Sequence, residues 1–540
     1  MRWIPSPDPL ATDEAPSRRS LALVAALVAV HVVLAWLTRI PGLSWGEDDA
    51  GYILLARELR HFSYRETQDI AAPWHARFPP GYPLLIAVLG WPFGDAVDAL
   101  LALNTLFTSA TIVLLFLTAR RHLGEALAFV VSALFAVNPM SVWDSGHVMA
   151  EAPFKFFMIL GLWALSHERE GARYAVLAGS AAIAAALTRS AGIVLLPALC
   201  CFWVMRRRYR YAALLVVASL ATVGAWLGWT VLAPEAEHRR LYTADLGLAG
   251  PRAGRLEVLG RILERLPARA QRLGTVIFPF VLALPVIPGT RIDNAAWLLA
   301  ITVSCLTGTL VLVRRWTAAA LITASYGSLL LVWRFAIERF AYPLVPFLYV
   351  AMVVGTDAVM RRFAPRARIP ALTVLVLLLA LGAARFDASR LASARACDRR
   401  NPTESSGCWD RSYRAYLAAA RWAAEFTPAD AVFFVNKERG FFFHSGRRTI
   451  NQDRALEEDS VSLAPYLRQR GAHYTVATPV GVRSEEHNRL LAAACRDFLV
   501  LKRFPEQTLV LRLRTDDDPP GDETACRLLN SYRAIAPADR

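Results

Sequence analysis

Through the first 385 of 540 residues, apolar side chains come in blocks of about 17–22, several of them joined by short loops that carry clustered arginines. A helix needs about 20 mostly apolar residues to cross a bilayer, and in lipid the backbone must satisfy its own polar groups. The blocks therefore predict a polytopic α-helical membrane protein with about eleven spans. These fall near 20–38, 96–119, 126–143, 148–166, 173–188, 191–205, 211–232, 296–313, 317–333, 341–359 and 369–385. Apolar residues make up 55% of the chain and charged ones 19%, which excludes a disordered chain and a simple cytosolic enzyme. The first block follows Arg18 and Arg19 and lacks a small-residue cleavage site, so it reads as a signal anchor.

Arginine in the short loops sets the orientation. The basic connections are Arg120-Arg121, Arg169 with Arg173, Arg206 to Arg210, Arg314-Arg315, and Arg361-Arg362 with Arg366 and Arg368. With eleven spans and the amino terminus cytoplasmic, all of them fall on the cytoplasmic side. Counting 82–93 or 274–289 alone as a crossing would put arginine runs outside, so both read as interfacial or re-entrant. The net charge of +15 then reflects topology and not nucleic-acid binding. The expected organisation is a cytoplasmic segment 1–19, a membrane module 20–385 with outer loops 39–95 and 233–295, and an extracytoplasmic domain 386–540. The implied location is a membrane, crossed many times.

The tail is nearly balanced, with 24 Lys+Arg and 21 Asp+Glu. β-rich runs at 431–436, 473–478, 498–504 and 507–513, with helical stretches at 411–426 and 484–495, suggest a small α/β domain. An even number of cysteines in an oxidising compartment suggests the pairs Cys397–Cys408 and Cys495–Cys526, against a reading as free thiols. Cys200, Cys201 and Cys305 sit in apolar spans and read as small buried hydrophobes.

Ionisable residues at the outer span ends carry the functional argument. The first outer loop holds Glu47-Asp48-Asp49 ahead of Tyr52 and a helical pattern. One acid suffices to cap a helix; three repel one another, which raises a pKa and suits a general base. Capping and catalysis both stay open here. His75 and Arg77 precede the Pro79-Pro80-Gly81 turn and Tyr82, where interfacial anchoring by Trp74, Arg77 and Tyr82 is the bland reading. Glu151 and Lys155 stand four apart and could form an i,i+4 ion pair, or Glu151 could serve the chemistry. Arg189 and Arg339, the latter beside Tyr342, are outer-end cations that snorkel or hold phosphate bidentately. From about 254 a basic amphipathic helix is expected on the membrane surface. No Gly-rich phosphate loop or HExxH motif is present. No His/Asp cluster has metal-ligand spacing; no cofactor is called for, and a divalent metal is left open.

Taken in order, Asp48, Asp49 and Tyr52, the Pro79-Pro80 turn, Glu151, the Thr188-Arg189-x-x-Gly192 turn, and Arg339 with Pro343 and Pro346 resemble the GT-C fold glycosyltransferases. The pattern is nearest to the aminoarabinose lipid A transferases and the protein O-mannosyltransferases. Two departures are Phe78 where a basic residue is usual, with Arg77 one step earlier, and the plain Ala50-Gly51 after the acidic pair. The resemblance implies an integral membrane glycosyltransferase that takes a sugar from a polyprenyl-phosphate carrier to an acceptor hydroxyl or phosphate on the outer face, with inversion. Asp48 would be the general base, Asp49 or Glu151 would set its pKa, and Arg189 and Arg339 would hold the phosphate. Glu47, Tyr52, His75, Arg77, Tyr82 and Tyr342 would line the substrate groove. Partners would be the lipid-linked donor, a lipid, glycan or protein acceptor, and membrane lipids, without nucleic acid. This reading needs the carboxylates near 48 and the two arginines to serve one exterior cavity. A transporter or flippase, or a non-catalytic envelope assembly protein, is the alternative. A transporter predicts inverted repeats and midplane charges, and neither is seen in the sequence.

Overall fold

A computed structural model describes residues 15–43, 47–94, 96–233, 255–284, 291–333, 338–400, 405, 407–452, 462–481, 483–518 and 523–531. The chain forms two compact units: residues 1–39 with 76–392, and residues 40–75 with 393–540. The stretch 40–75 thus packs with the tail.

In the first unit each of the eleven apolar blocks is helical. Among the described residues, six helices are long and apolar enough to cross a membrane: Arg18–Thr38, Val97–Leu123, Tyr209–Leu232, Leu298–Arg315, Glu338–Phe363 and Pro365–Ala396. A seventh is the pair Glu125–Ala136 and Pro139–Ser145, bent by 59°. Ala172–Thr188, Ser190–Met205 and Thr317–Val332 are shorter apolar helices. Of the two short apolar stretches, the first gives a nine-residue helix, Gly81–Leu89. The second gives a π turn, Leu273–Ile277, and a single helical turn, Phe278–Val281. Arg255–Arg272 is helical, as its periodicity predicts. Arg239, Arg240, Arg252 and Arg334 lie outside the described residues.

The bend has a local cause. Pro139 cannot donate a helical hydrogen bond and disfavours helix at the residue before it. Asn138 uses the break as a cap, its Oδ1 accepting from Met140 N (3.0 Å) and Ser141 N (3.2 Å). Its Nδ2 donates to Val281 O and Tyr349 Oη, each at 2.8 Å. His31, buried in the first helix, donates from Nδ1 to the Ala136 carbonyl left over by the break (2.7 Å). The stretch 126–143 is therefore two helices fastened by side chains, not the straight rod its composition suggests.

Close backbone approach organises the other side of this unit. A Cβ on Gly308 would overlap the Ala351 carbonyl, and one on Gly355 would overlap the Ser304 carbonyl. Two glycines let the helices Arg291–Arg315 and Val345–Phe363 touch along their backbones, a packing that lipid-embedded helices favour because burial offers little there. Cys201, expected as a buried hydrophobe, is exposed on the helix Leu195–Met205.

The second unit is built on a five-stranded sheet in the order β2-β1-β3-β5-β4, with β1 Val432–Val435, β2 Arg448–Asn451, β3 Tyr474–Ala477, β4 Phe498–Arg503 and β5 Leu509–Leu513. β1 runs parallel to β2 and β3, whereas β5 is antiparallel to β3 and β4. β2 was not read from the sequence: four residues beginning Arg448-Thr449 carry too little apolar alternation to register as a strand. The loop 64–75 binds the β2 edge, with Ile70 N donating to Thr449 O (3.0 Å) and Thr449 N to Gln68 O (2.7 Å). That contact covers an edge that would otherwise expose unpaired backbone groups. The disulfides are Cys397–Cys408 and Cys495–Cys526, as expected.

Candidate functional site

In the first unit, Glu151 opens the helix Glu151–Ser166 and is fully buried. The turn ahead of it is held by side chains. Tyr82 Oη donates to Asn104 Oδ1 (3.1 Å), and Asn104 Nδ2 donates to the carbonyls of His147 (2.6 Å) and Met149 (3.0 Å). Tyr82 is wholly enclosed, so it is a support for the Glu151 turn and not an interfacial anchor.

Arg189 leaves the helix Ala172–Thr188 in extended conformation and begins the 3-10 turn Ser190–Val194. That turn folds straight back: a Cβ on Gly192 would sit 2.7 Å from the Ala185 carbonyl, which is why glycine closes the Thr188-Arg189-x-x-Gly192 sequence. The Arg189 guanidinium ion-pairs with Glu151 Oε1. Arg339, from the 3-10 segment Glu338–Leu344, brings its Nε to the same oxygen at 2.6 Å. Arg189 also lies 5.1 Å over the Phe340 ring. Arg189 is no snorkelling surface cation, being 8% exposed and ion-paired inside the unit, whereas Arg339 is half-buried.

The i,i+4 pair of Glu151 with Lys155 gives way to another. Lys155 Nζ donates to Asp144 Oδ2 at 2.5 Å, both side chains being sealed from solvent. Arg390, unremarked in the sequence, donates to Pro139 O (2.7 Å) and stacks over Phe386. Tyr342 packs edge-on against Trp143, which in turn stacks on His147 at 4.0 Å. Arg77 is exposed, its guanidinium 5.6 Å from the Phe78 ring. The arrangement gathers guanidinium groups around one acid, a geometry suited to an oxyanion.

The second unit holds the acidic segment. Glu47 adopts the left-handed conformation (φ 65°), and its Oε1 accepts from Gly440 N at 3.0 Å. Gly440 is in the first turn of the helix Glu438–Ser445, so Glu47 caps that helix from a distant part of the chain. A Cβ at Gly440 would fall 2.7 Å from the Glu47 carboxylate. Burial pushes the Glu47 carboxyl up to about 8, with Lys437 opposing and Glu438 adding to the rise.

Asp48 and Asp49 begin the helix Asp48–Arg60. Asp49 is buried and its Oδ1 accepts from Ala50 N (2.9 Å), whereas Asp48 is half-buried. Tyr52 is buried on the same helix. His75 is fully enclosed, its Nδ1 2.9 Å from Glu66 Oε1. Glu66 also accepts from Gln68 (2.9 Å) and lies 3.6 Å from Arg439 Nη2. Burial alone would lower Arg439, but Glu66, Glu438, Asp48 and Glu47 outweigh it and hold the guanidinium above its ordinary range.

Glu151, Arg189 and Arg339 thus meet in one unit, and Glu47, Asp48, Asp49 and Tyr52 share the other. The sequence missed Asp144, Lys155's true partner, although an acid beside an apolar block is a usable signal. It missed Glu66 and Arg439 as well, and no local pattern marks them. Among the described residues no group of three or more His, Cys, Asp or Glu side chains is placed to hold a metal.

Neither a protein-family model nor a curated protein matches this chain. Solved structures do. ArnT from Cupriavidus metallidurans in the apo state superposes with a TM-score of 0.57 at 15% identity, covering 91% of this chain and 98% of that one. The same protein bound to undecaprenyl phosphate gives 0.54 at 16% identity, covering 93% and 99%. The oligosaccharyltransferase AglB from Archaeoglobus fulgidus, in complex with an inhibitory peptide and a dolichol-phosphate, gives 0.52 at 14% identity, covering 93% and 75%. The fold is GT-C. At these identities the likeness concerns architecture, and it extends over nearly the whole chain.

Proposed function

We propose that this protein is an integral membrane glycosyltransferase that takes a sugar from a polyprenyl-phosphate carrier. The observation that carries the reading is the convergence of Arg189 and Arg339 on Glu151, in a fold shared with proteins solved with undecaprenyl phosphate and dolichol-phosphate. In this reading the acceptor oxygen attacks the anomeric carbon as the bond to phosphate breaks, inverting the centre. Asp48 takes the acceptor's proton, and the phosphate departs as polyprenyl phosphate. Arg189 and Arg339 hold that phosphate and stabilise the charge it gains. Glu151 keeps the two guanidinium groups together, which spares the ordering of two long side chains when the donor arrives.

The same reading keeps eleven crossings, a cytoplasmic amino terminus and the acidic segment and tail on the outer side of a bacterial inner membrane. Outside the cytoplasm nucleotide sugars are absent, which favours a lipid-linked donor. The decisive assay is incubation of the purified protein with a panel of polyprenyl-phosphate sugars and acceptors, scored by release of polyprenyl phosphate. Release with one donor, lost in Asp48→Asn, supports the reading. No release from any donor overturns it; full activity in Asp48→Asn removes Asp48 from the mechanism.

A further inference from the structure

Glu47 is held in a backbone conformation that side chains with a Cβ avoid. Its φ of 65° lies in the left-handed region, which costs free energy and persists where the surroundings impose it. Two contacts impose it here. The Glu47 carbonyl accepts from Gly51 N (3.0 Å), the first bond of the helix Asp48–Arg60. Its Oε1 accepts from Gly440 N (3.0 Å), in the first turn of the helix Glu438–Ser445. Lys437, at the N-cap of that helix, has no side-chain oxygen to offer, so Glu47 supplies the cap. Gly440 makes room for the carboxyl: a Cβ there would lie 2.7 Å from Oε1 and 3.4 Å from Cγ. The helix Arg411–Phe426 fastens both sides of this clasp. Tyr413 Oη donates to Leu43 O (3.4 Å), ahead of the acidic segment, and Tyr416 Oη donates to Lys437 O (2.5 Å).

We propose that Glu47 is a positioning residue: its carboxyl, seated on Gly440, holds the left-handed turn that aims the start of the next helix and with it Asp48. The inference rests on Asp48 being the general base and names what fixes that base in place. Asp48 follows Glu47 by one peptide unit, so a change in the φ of Glu47 swings the Asp48 side chain directly. A displacement of about 1 Å in a catalytic group can cost 10²-fold in rate. The Glu47 carboxyl itself is enclosed and engaged by the tail, which sets it apart from a group that touches substrate.

The test compares Glu47→Gln, Glu47→Leu, Glu47→Gly and Gly440→Ala in the full-length protein, with folding checked by thermal melting. Glu47→Leu and Gly440→Ala should lower kcat by about 10–100-fold and leave the KM of donor and acceptor unchanged. Glu47→Gly relieves the backbone conformation but loses the clasp, and should fall with them. Glu47→Gln still offers an oxygen to Gly440 and should restore most of kcat. On an Asp48→Asn background, Glu47→Leu should reduce kcat no further, since the group that it places is gone. Hydrogen exchange at the Gly51 amide reads the turn without any assay of activity; it should quicken in Glu47→Leu and stay at the natural rate in Glu47→Gln. A merely structural role would lower the melting temperature and the folded yield while leaving kcat of the folded enzyme intact, which overturns the inference. A loss shared equally by Glu47→Gln, a raised acceptor KM at constant kcat, or a full further loss on the Asp48→Asn background also overturns it. If Glu47→Leu does not fold, Glu47→Gly and Gly440→Ala decide by the same outcomes. Absence of turnover in the natural protein with every donor would instead sink the transferase reading, and exchange at Gly51 would then decide alone whether the clasp holds the turn.

Discussion

Lys155 Nζ lies 2.5 Å from Asp144 Oδ2, in a pair that no solvent reaches. Breaking such a pair from one side leaves a buried charge uncompensated, at a cost of about 3–5 kcal/mol. Lys155→Met and Asp144→Asn should each lower the melting temperature sharply in detergent. The double variant should be milder than the sum of the two. Additive losses would show that the two charges do not depend on one another.

Arg189→Ala and Arg339→Ala should chiefly weaken the donor, raising its KM about tenfold or more, as loss of a charge-assisted hydrogen bond of about 1.5–3 kcal/mol would do. Binding measured with a polyprenyl phosphate, in the absence of acceptor, checks this directly. Unchanged affinity would make the two arginines partners of Glu151 and nothing more.

Asp48→Asn should leave the protein folded and reduce turnover by about 10²–10⁴-fold, the range general-base catalysis supplies. Asp49→Asn should act mainly on stability, because the buried Asp49 carboxylate binds the backbone of its own helix turn. Turnover and melting curves on both variants separate the two roles.

Glu47 carries a pH dependence of folding. Burial raises its carboxyl from the usual 4.5 to about 8, so the folded chain holds a proton that the unfolded chain releases. The stability this gives is fully present below about 4.5 and is lost as pH rises through about 8. Melting curves across that window should decline in the natural protein and flatten in Glu47→Gln. A parallel decline in the variant would remove Glu47 from the account.

The glycine crossing gives a test by size. Gly355→Leu places a side chain where the Ser304 carbonyl already stands, and should cost about 3 kcal/mol or more. Gly228, whose Cβ would meet nothing within 4 Å, should tolerate alanine and gain slightly from its better helix propensity. Melting both variants checks the contrast.

Much of the fold was legible because apolar blocks and strand alternation are local properties. The helix over 411–426 and the strands near 432, 474, 498 and 509 fall where their side chains place them. β2 was not legible, since a four-residue edge strand takes its identity from the partner that it meets. The bend at Asn138 was half-legible: Pro139 announces a break, but its angle depends on Val281 and Tyr349 reaching Asn138 from far along the chain.

For the site, the sequence by itself determined which ionisable groups are exceptional, because a charge next to an apolar block is costly wherever it ends up. It also led to the expected cysteine pairs of the tail, which the structure closes. Only the tertiary structure decided which charges meet. Lys155 turns to Asp144 and not to Glu151, Glu151 takes two arginines 150 residues apart (Arg189 and Arg339), and Glu47 caps a helix 393 residues away. Nearness along the chain does not rank these pairings, and the choice among them falls to whichever arrangement leaves the fewest buried charges uncompensated.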